Sequence, residues 1–304
     1  MSSFWSNWIT VITVGNILAC VWLIWWTMKK RDGESAEGDV TGHSWDGDLQ
    51  EYNNPLPRWW LWMFYITIIF ALGYLYLYPG LGTYKGALNW TAQSQHADEM
   101  AAAKEKYDPI YAQYRDVAIP ELAKNTEATE MGKRLYLTYC VQCHGSDARG
   151  SKGYPNLTDD DLLFGGTPDM IKTSIAMGRR QKAPMPAAQA MPPWEPIIGA
   201  DGVDNVTEYV LELSGRKADA DMAAKGKEIY MTNCAACHMP DGAGMHALGA
   251  PKLNDNIWLF GKAKSDIKKT IAEGRNNVMP AWKEMLGDDK VHVLTAYVYG
   301  LSNN

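Results

Sequence analysis

The feature that most limits what this chain can become is a repeated cluster of cysteine and histidine. Cys140, Cys143 and His144 form one Cys-x-x-Cys-His run, and Cys234, Cys237 and His238 form a second. Their surroundings repeat too, at a period of about 90–96 residues. Gly132, Lys133 and Tyr136 precede the first run as Gly226, Lys227 and Tyr230 precede the second. Downstream, Phe164-Gly165 matches Phe260-Gly261, and Gly178-Arg179 matches Gly274-Arg275. Met191-Pro192-Pro193-Trp194 matches Met279-Pro280-Ala281-Trp282. Two units of this length are two copies of one domain, because a solenoid needs three or more short stacked repeats. Each unit opens with a helical pattern ending at the cysteines and closes with an apolar helix, at 205–214 and 288–301. No alternating strand pattern appears, so the units read as small and all-helical.

Cys-x-x-Cys-His is the attachment motif of c-type haem. Two thiols one helical turn apart meet the two vinyl groups, and the following histidine ligates iron. A zinc site or a redox dithiol is the competing use of Cys-x-x-Cys, but the duplication inside matching repeats argues for two covalent haems. A methionine as second axial ligand raises the potential. In the second unit Met279 fits that role, since Met245 lies too close to His238 to reach the opposite face. In the first unit Met191 fits best because it reproduces the Trp three residues on, with Met185 as the alternative and Met177 as a core filler. Whether each methionine serves its own unit or the other is not decided by the sequence. His/Met irons are saturated, so such centres pass single electrons and bind no oxygen. Arg179 and Arg275 are candidates to face haem carboxylates. His43, His96, His246, His292 and Cys20 show no metal-ligand spacing, and no catalytic constellation is present.

Trp8 to Met28 and Trp59 to Tyr78 carry no charge, and each is long enough to cross a bilayer as a helix. The segment before the first run has no Lys or Arg, and Lys29, Lys30 and Arg31 follow it. That order suits a retained anchor better than a cleaved signal peptide. The same basic residues with Arg58 put the loop between the spans in the cytoplasm. The N-terminus and everything after Tyr78 then face outward, into the periplasm of a bacterium. The 13 Trp and 16 Tyr, against 5 Phe, suit a membrane interface. A net charge of -6 gives no footing for nucleic acid.

The loop before the second span reads Thr41-Gly42-His43-Ser44-Trp45-Asp46-Gly47, then Glu51-Tyr52-Asn53-Asn54-Pro55-Leu56-Pro57-Arg58-Trp59-Trp60. This resembles the signature of the CcoP/FixP dihaem subunits of cbb3-type cytochrome c oxidases. Many members have one span; the two spans here look like the Pseudomonas-type variant. The resemblance implies a membrane subunit that takes electrons from a soluble cytochrome c. It would relay them through a monohaem cytochrome c subunit to the haem b–copper site of the catalytic subunit.

The expected fold is all-α: two transmembrane helices followed by two tandem class I cytochrome c domains. Residues 1–30 form the first span, 31–56 the cytoplasmic loop, 57–79 the second span and 80–125 a periplasmic linker holding a helix from His96 to Arg115 broken near Pro109. The haem domains occupy 126–215 and 216–304. A dihaem mediator of another dehydrogenase or quinol-oxidising complex is the alternative. A haem-based sensor or an assembly scaffold is the less favoured reading, and a sensor would need an open or weak ligand position, which Met-Pro-x-Trp in both units argues against. The first unit has 8 basic and 12 acidic residues and the second 12 and 10, nets of -4 and +2. A basic donor would therefore be steered to the first.

Overall fold

The computed structural model describes residues 1–29, 32–54, 56–180 and 190–303. The chain divides into two compact units, 1–105 and 106–304.

In the first unit, α1 (Ser3–Thr27) and α2 (Arg58–Leu77) are apolar on every face. Such a helix lies either in a protein core or in a membrane. The most apolar windows of both helices are wholly unburied, so this chain's own core does not account for them and both are long and apolar enough to cross a membrane. The backbone N–H of Thr83 donates to Ser6 Oγ (2.9 Å), so the turn after α2 lies beside the start of α1. The helices are thus antiparallel.

Between them the expectation of an all-α chain fails. β1 (Val40–Trp45) and β2 (Leu49–Tyr52) form an antiparallel hairpin, with Trp45 opposite Leu49 and Ser44 opposite Gln50. The cause is turn chemistry: Asp46 (φ 50°) and Gly47 (φ 91°) supply the positive φ angles that tight hairpins need. Asn53 closes the base by donating from Nδ2 to Ser35 O (2.6 Å).

A third helix, α3 (Ala92–Ala112), runs through Pro109 instead of breaking there. The helix ends within one turn of the proline, so little of the hydrogen-bond ladder is lost. Ten further helices follow among the described residues. The first four are α4 (Ile119–Leu122), α5 (Thr126–Tyr139), α6 (Val141–His144) and α7 (Pro168–Met177). The rest are α8 (Glu195–Leu213), α9 (Ala220–Asn233), α10 (Ala235–His238), α11 (Lys264–Glu273), α12 (Lys283–Leu286) and α13 (Asp288–Asn303). Asn125 caps α5 by accepting from Ala128 N (3.0 Å), and Asp219 caps α9 by accepting from Met222 N (3.0 Å).

The two repeats do not fold as the two expected domains, 126–215 and 216–304. Leu135, Tyr136, Ile171 and Ile175 of the first repeat share a core with Leu286, Val291, Leu294 and Val298 of the second. Val203, Val206 and Val210 of the first repeat share a core with Tyr230, Ile267 and Ile271 of the second. The closing helices are exchanged: α13 packs on α5 and α7, while α8 packs on α9 and α11. One module is therefore 190–275, continuous in the chain. The other is 106–180 completed by 276–303, with the first module inserted in it. The sequence could not decide this, because α8 and α13 are equivalent elements that fit either partner.

Both helix crossings depend on glycine. A Cβ on Gly132 would stand 2.6 Å from Tyr297 Cβ and 2.8 Å from Val293 O. One on Gly226 would overlap the carbonyl of Asn205. Beside these contacts the Tyr136 and Tyr297 rings meet at a tilt of 52°, centroids 5.5 Å apart, and Tyr209 and Tyr230 meet edge-to-face at 5.1 Å. Gly132→Ala and Gly226→Ala are each expected to cost about 1–3 kcal/mol by overpacking. Thermal denaturation of the detergent-solubilised protein checks this, and the loss should exceed that of an alanine at exposed Gly166, where an added Cβ would meet only an ordinary contact at 3.6 Å.

Candidate haem sites

Each Cys-x-x-Cys-His run begins where a long helix ends. Cys140 terminates α5 and Cys234 terminates α9; the next residues form a single turn that brings the second cysteine and the histidine round. The chain then folds back. Gly150 N donates to His144 O (2.8 Å), and Leu157 N donates to Ala148 O (2.8 Å). The second copy does the same from Gly244 to His238 O (3.0 Å) and from Leu253 to Gly242 O (2.7 Å). This return places Pro155 O 3.1 Å from His144 Nδ1 and Pro251 O 3.0 Å from His238 Nδ1. A carbonyl only accepts, so Nδ1 carries the proton and Nε2 keeps its lone pair. Both histidines are buried, and burial lowers their pKa, which favours the neutral, ligating form. Burial, followed by the neighbouring thiol, pushes Cys140 and Cys234 up to about 11.

A largely apolar cavity opens beside each motif. The first is lined by Cys140, Cys143 and His144 together with Leu162, Phe164, Ile175 and, from the other repeat, Met279 and Trp282. The second is lined by Cys234, Cys237 and His238 with Leu253, Trp258 and Phe260 and, from the other repeat, Met191 and Trp194. All eight predicted site residues thus line the cavities, but the methionines are exchanged between repeats. Among the others, Met177 and Met245 line neither cavity. Met185 lies outside the described residues. His292 is buried, with Nε2 2.8 Å from Val117 O and Nδ1 3.3 Å from Lys172 Nζ, a packing role. His246 and Cys20 are exposed.

The exchange rests on a short crossed ladder. Arg179 N donates to Met279 O (2.9 Å) and Met279 N to Arg179 O (3.1 Å). Met191 N donates to Arg275 O (2.9 Å) and Arg275 N to Met191 O (2.8 Å). Three residues on, Trp282 N donates to Ile175 O and Trp194 N to Ile271 O, both at 3.1 Å. A side chain on Gly274 would strike the Met191 carbonyl, so glycine there is what lets the strands approach. Arg179 is held by Ser174 Oγ (2.9 and 2.7 Å) over Phe164, and Arg275 by Thr270 Oγ1 (3.2 and 2.8 Å) over Phe260. Each lines its own cavity.

Comparison with known proteins identifies the family. Residues 37–85 match the N-terminal domain of cytochrome oxidase-cbb3, FixP, and residues 127–210 and 221–298 match cytochrome c oxidase, cbb3-type, subunit III. The cbb3-type cytochrome c oxidase subunit CcoP of Rubrivivax gelatinosus is 46% identical over 302 residues, covering 99% of this chain and 96% of the relative. CcoP of Cereibacter sphaeroides is 39% identical, covering 90% and 98%. FixP of Azorhizobium caulinodans is 40% identical, covering 86% and 92%. The chain belongs to the CcoP/FixP family.

It is therefore an electron-transfer subunit of a cbb3-type oxidase, with c-type haem domains and a membrane location. The FixP match begins just before the hairpin and ends beyond α2, and the turn at Asp46-Gly47 is part of that match. The two subunit III matches follow the sequence repeats, not the packed modules. In this CcoP/FixP chain the residues sequence reasoning missed lie between the two cavities. Asn277 Nδ2 donates to Gly153 O (2.8 Å), and Gly153 N donates to Leu259 O (2.8 Å). Leu163, Arg180 and Leu259 line both cavities. Asn277→Ala is expected to cost about 1 kcal/mol by removing one partner of a half-buried carbonyl. That corresponds to about 2–4 °C in Tm for a module pair of this size. Differential scanning calorimetry checks the loss, and the visible spectrum should not change.

Proposed function

We propose that the chain carries two covalent c-type haems with crossed axial ligands. Cys140 and Cys143 would anchor one, with His144 and Met279 as its ligands. Cys234 and Cys237 would anchor the other, with His238 and Met191. The observation that carries this reading is that each cavity joins one Cys-x-x-Cys-His run to the other repeat's methionine. Haem at such a site supplies a one-electron couple on a saturated iron, and methionine ligation sets it at high potential.

The chain's own residues do the rest. The carbonyls of Pro155 and Pro251 fix the histidine rings and raise their basicity as ligands. Tyr136 OH donates to Gly145 O (2.7 Å) and Tyr230 OH to Met239 O (2.8 Å), which pins the turn that follows each histidine. Leu, Ile, Phe and Trp side chains line the cavities, limiting water and so keeping the local dielectric low.

α1 and α2 would cross the bacterial inner membrane as antiparallel spans. The loop from 29 to 58 would be cytoplasmic, and the N-terminus and haem modules periplasmic. The contact of Ser6 with the turn at Thr83 supports a common side for the N-terminus and the segment that follows α2. There the chain would accept electrons from a soluble cytochrome c. It would deliver them, with a monohaem cytochrome c subunit, to the haem–copper catalytic subunit.

The crossed ligation has a direct test. In a Cys234→Ala/Cys237→Ala chain, only the haem on Cys140 and Cys143 remains. Adding Met279→Leu should abolish its near-infrared Met–iron band, whereas adding Met191→Leu should leave the band in place. The reverse result would restore ligation within each repeat.

The electron-accepting role has its own. Oxidase purified with Met191→Leu/Met279→Leu chains should lose at least tenfold in oxygen consumption with reduced soluble cytochrome c. An electron donor acting directly on the catalytic subunit should still support turnover. Unchanged turnover with the soluble cytochrome would sink the role.

A further inference from the structure

The repeat pattern assigns one arginine to each cavity, Arg179 to the first and Arg275 to the second. It does not account for Arg180, whose counterpart after Arg275 is Asn276. Arg180 lines both cavities. Its backbone takes φ 57°, a left-handed conformation rare for a side chain of this size, so the surroundings impose it. One guanidinium nitrogen donates to Gly249 O (3.1 Å), in the inserted module, and the guanidinium carbon lies 5.7 Å from the Phe164 ring, in the host module. Arg180 thus sits between the modules, held from each side. Burial lowers its pKa, which means that its charge is partly desolvated and couples strongly to any nearby anion.

Apart from Arg179, Arg180 and Arg275 the cavities are lined mainly by apolar side chains, and the charged periphery of a haem is its pair of carboxylates. A planar guanidinium has five donors in a fork and suits two carboxylates at once. We propose that Arg180 is a positioning residue shared by both haem sites, countering a carboxylate from each and so setting the two potentials together. This rests on the reading that both cavities hold haem. A positive charge beside both sites favours the reduced iron in each, because reduction removes one positive charge from the centre. The single-site arginines provide the contrast: Arg179 acts on the first cavity and Arg275 on the second.

The test is a spectroelectrochemical titration of the purified full-length chain and its variants, with bound haem counted by pyridine haemochrome. Arg180→Gln keeps a donor for Gly249 O but removes the charge. It should lower both midpoint potentials, while Arg180→Lys should hold both near the parent values. Arg179→Gln should lower only the potential of the haem on Cys140, and Arg275→Gln only that of the haem on Cys234. A shift confined to one haem in Arg180→Gln, or none, overturns the proposal. If Arg180→Gln fails to retain haem, a fall of both potentials in Arg180→Lys overturns it equally. A parent chain with other than two haems overturns instead the reading on which it rests.

Discussion

Four backbone hydrogen bonds, joining Arg179 to Met279 and Met191 to Arg275, are the constraint on which the haem modules depend. They are the points where the chain leaves one module and enters the next. An inserted module needs its two ends close together, and the Met191–Arg275 pair provides that. A host module needs its broken ends close together, and the Arg179–Met279 pair provides that. The same four residues put a methionine side chain into each cavity and an arginine beside it. Topology and the supply of methionines to the cavities are therefore one arrangement: exchanging the closing helices also exchanges the methionines that precede them.

This ordering has consequences for how the chain reaches its structure. In the inserted module the methionine and closing helix α8 come before the cysteines, so its chain order is permuted relative to the repeat. Everything it needs lies within 190–275. The host module instead awaits α13: Gly132 meets Tyr297 across 165 positions of sequence. Contacts that distant carry a high loop-closure cost and form late. The inserted module can close first and, by closing, brings residues 180 and 276 together, which turns the distant contact into a short one.

Much of this was legible in the sequence, and the failures have particular causes. The cysteines, histidines and methionines that line the cavities could be singled out because spacing and duplication are properties of the chain alone. Gly132 and Gly226 were visible as repeat partners, and they prove to be the points of closest helix approach. The hairpin was missed although Asp46-Gly47 is a strong turn signal, because the flanking Thr, Gly, His and Ser residues give no apolar alternation. The exchange of helices was invisible for a deeper reason. Two copies of one domain offer identical docking faces, so no pattern within either copy says which partner its helix takes. Arg180 was passed over because it lacks a counterpart, and a method built on matching repeats discounts what does not match.

The exchange also changes what charge can do. Counted by repeat, the two haem domains carry nets of -4 and +2. Counted by packed module, 106–180 with 276–303 has 12 basic and 13 acidic residues, and 190–275 has 10 and 12, nets of -1 and -2. The asymmetry that would have steered a basic donor toward one domain disappears. Part of it is neutralised where the modules meet: Lys252 pairs with Asp161 at 3.2 Å and Lys152 with Asp266 at 2.5 Å, each joining one module to the other. Exposed pairs of this kind add little stability. Their effect is on the field, since an acid paired across the boundary no longer projects its full charge toward an approaching protein. On the proposed role, orientation of a soluble donor would then come from local patches around one cavity mouth, at distances within a Debye length of about 8 Å, and not from a dipole between domains.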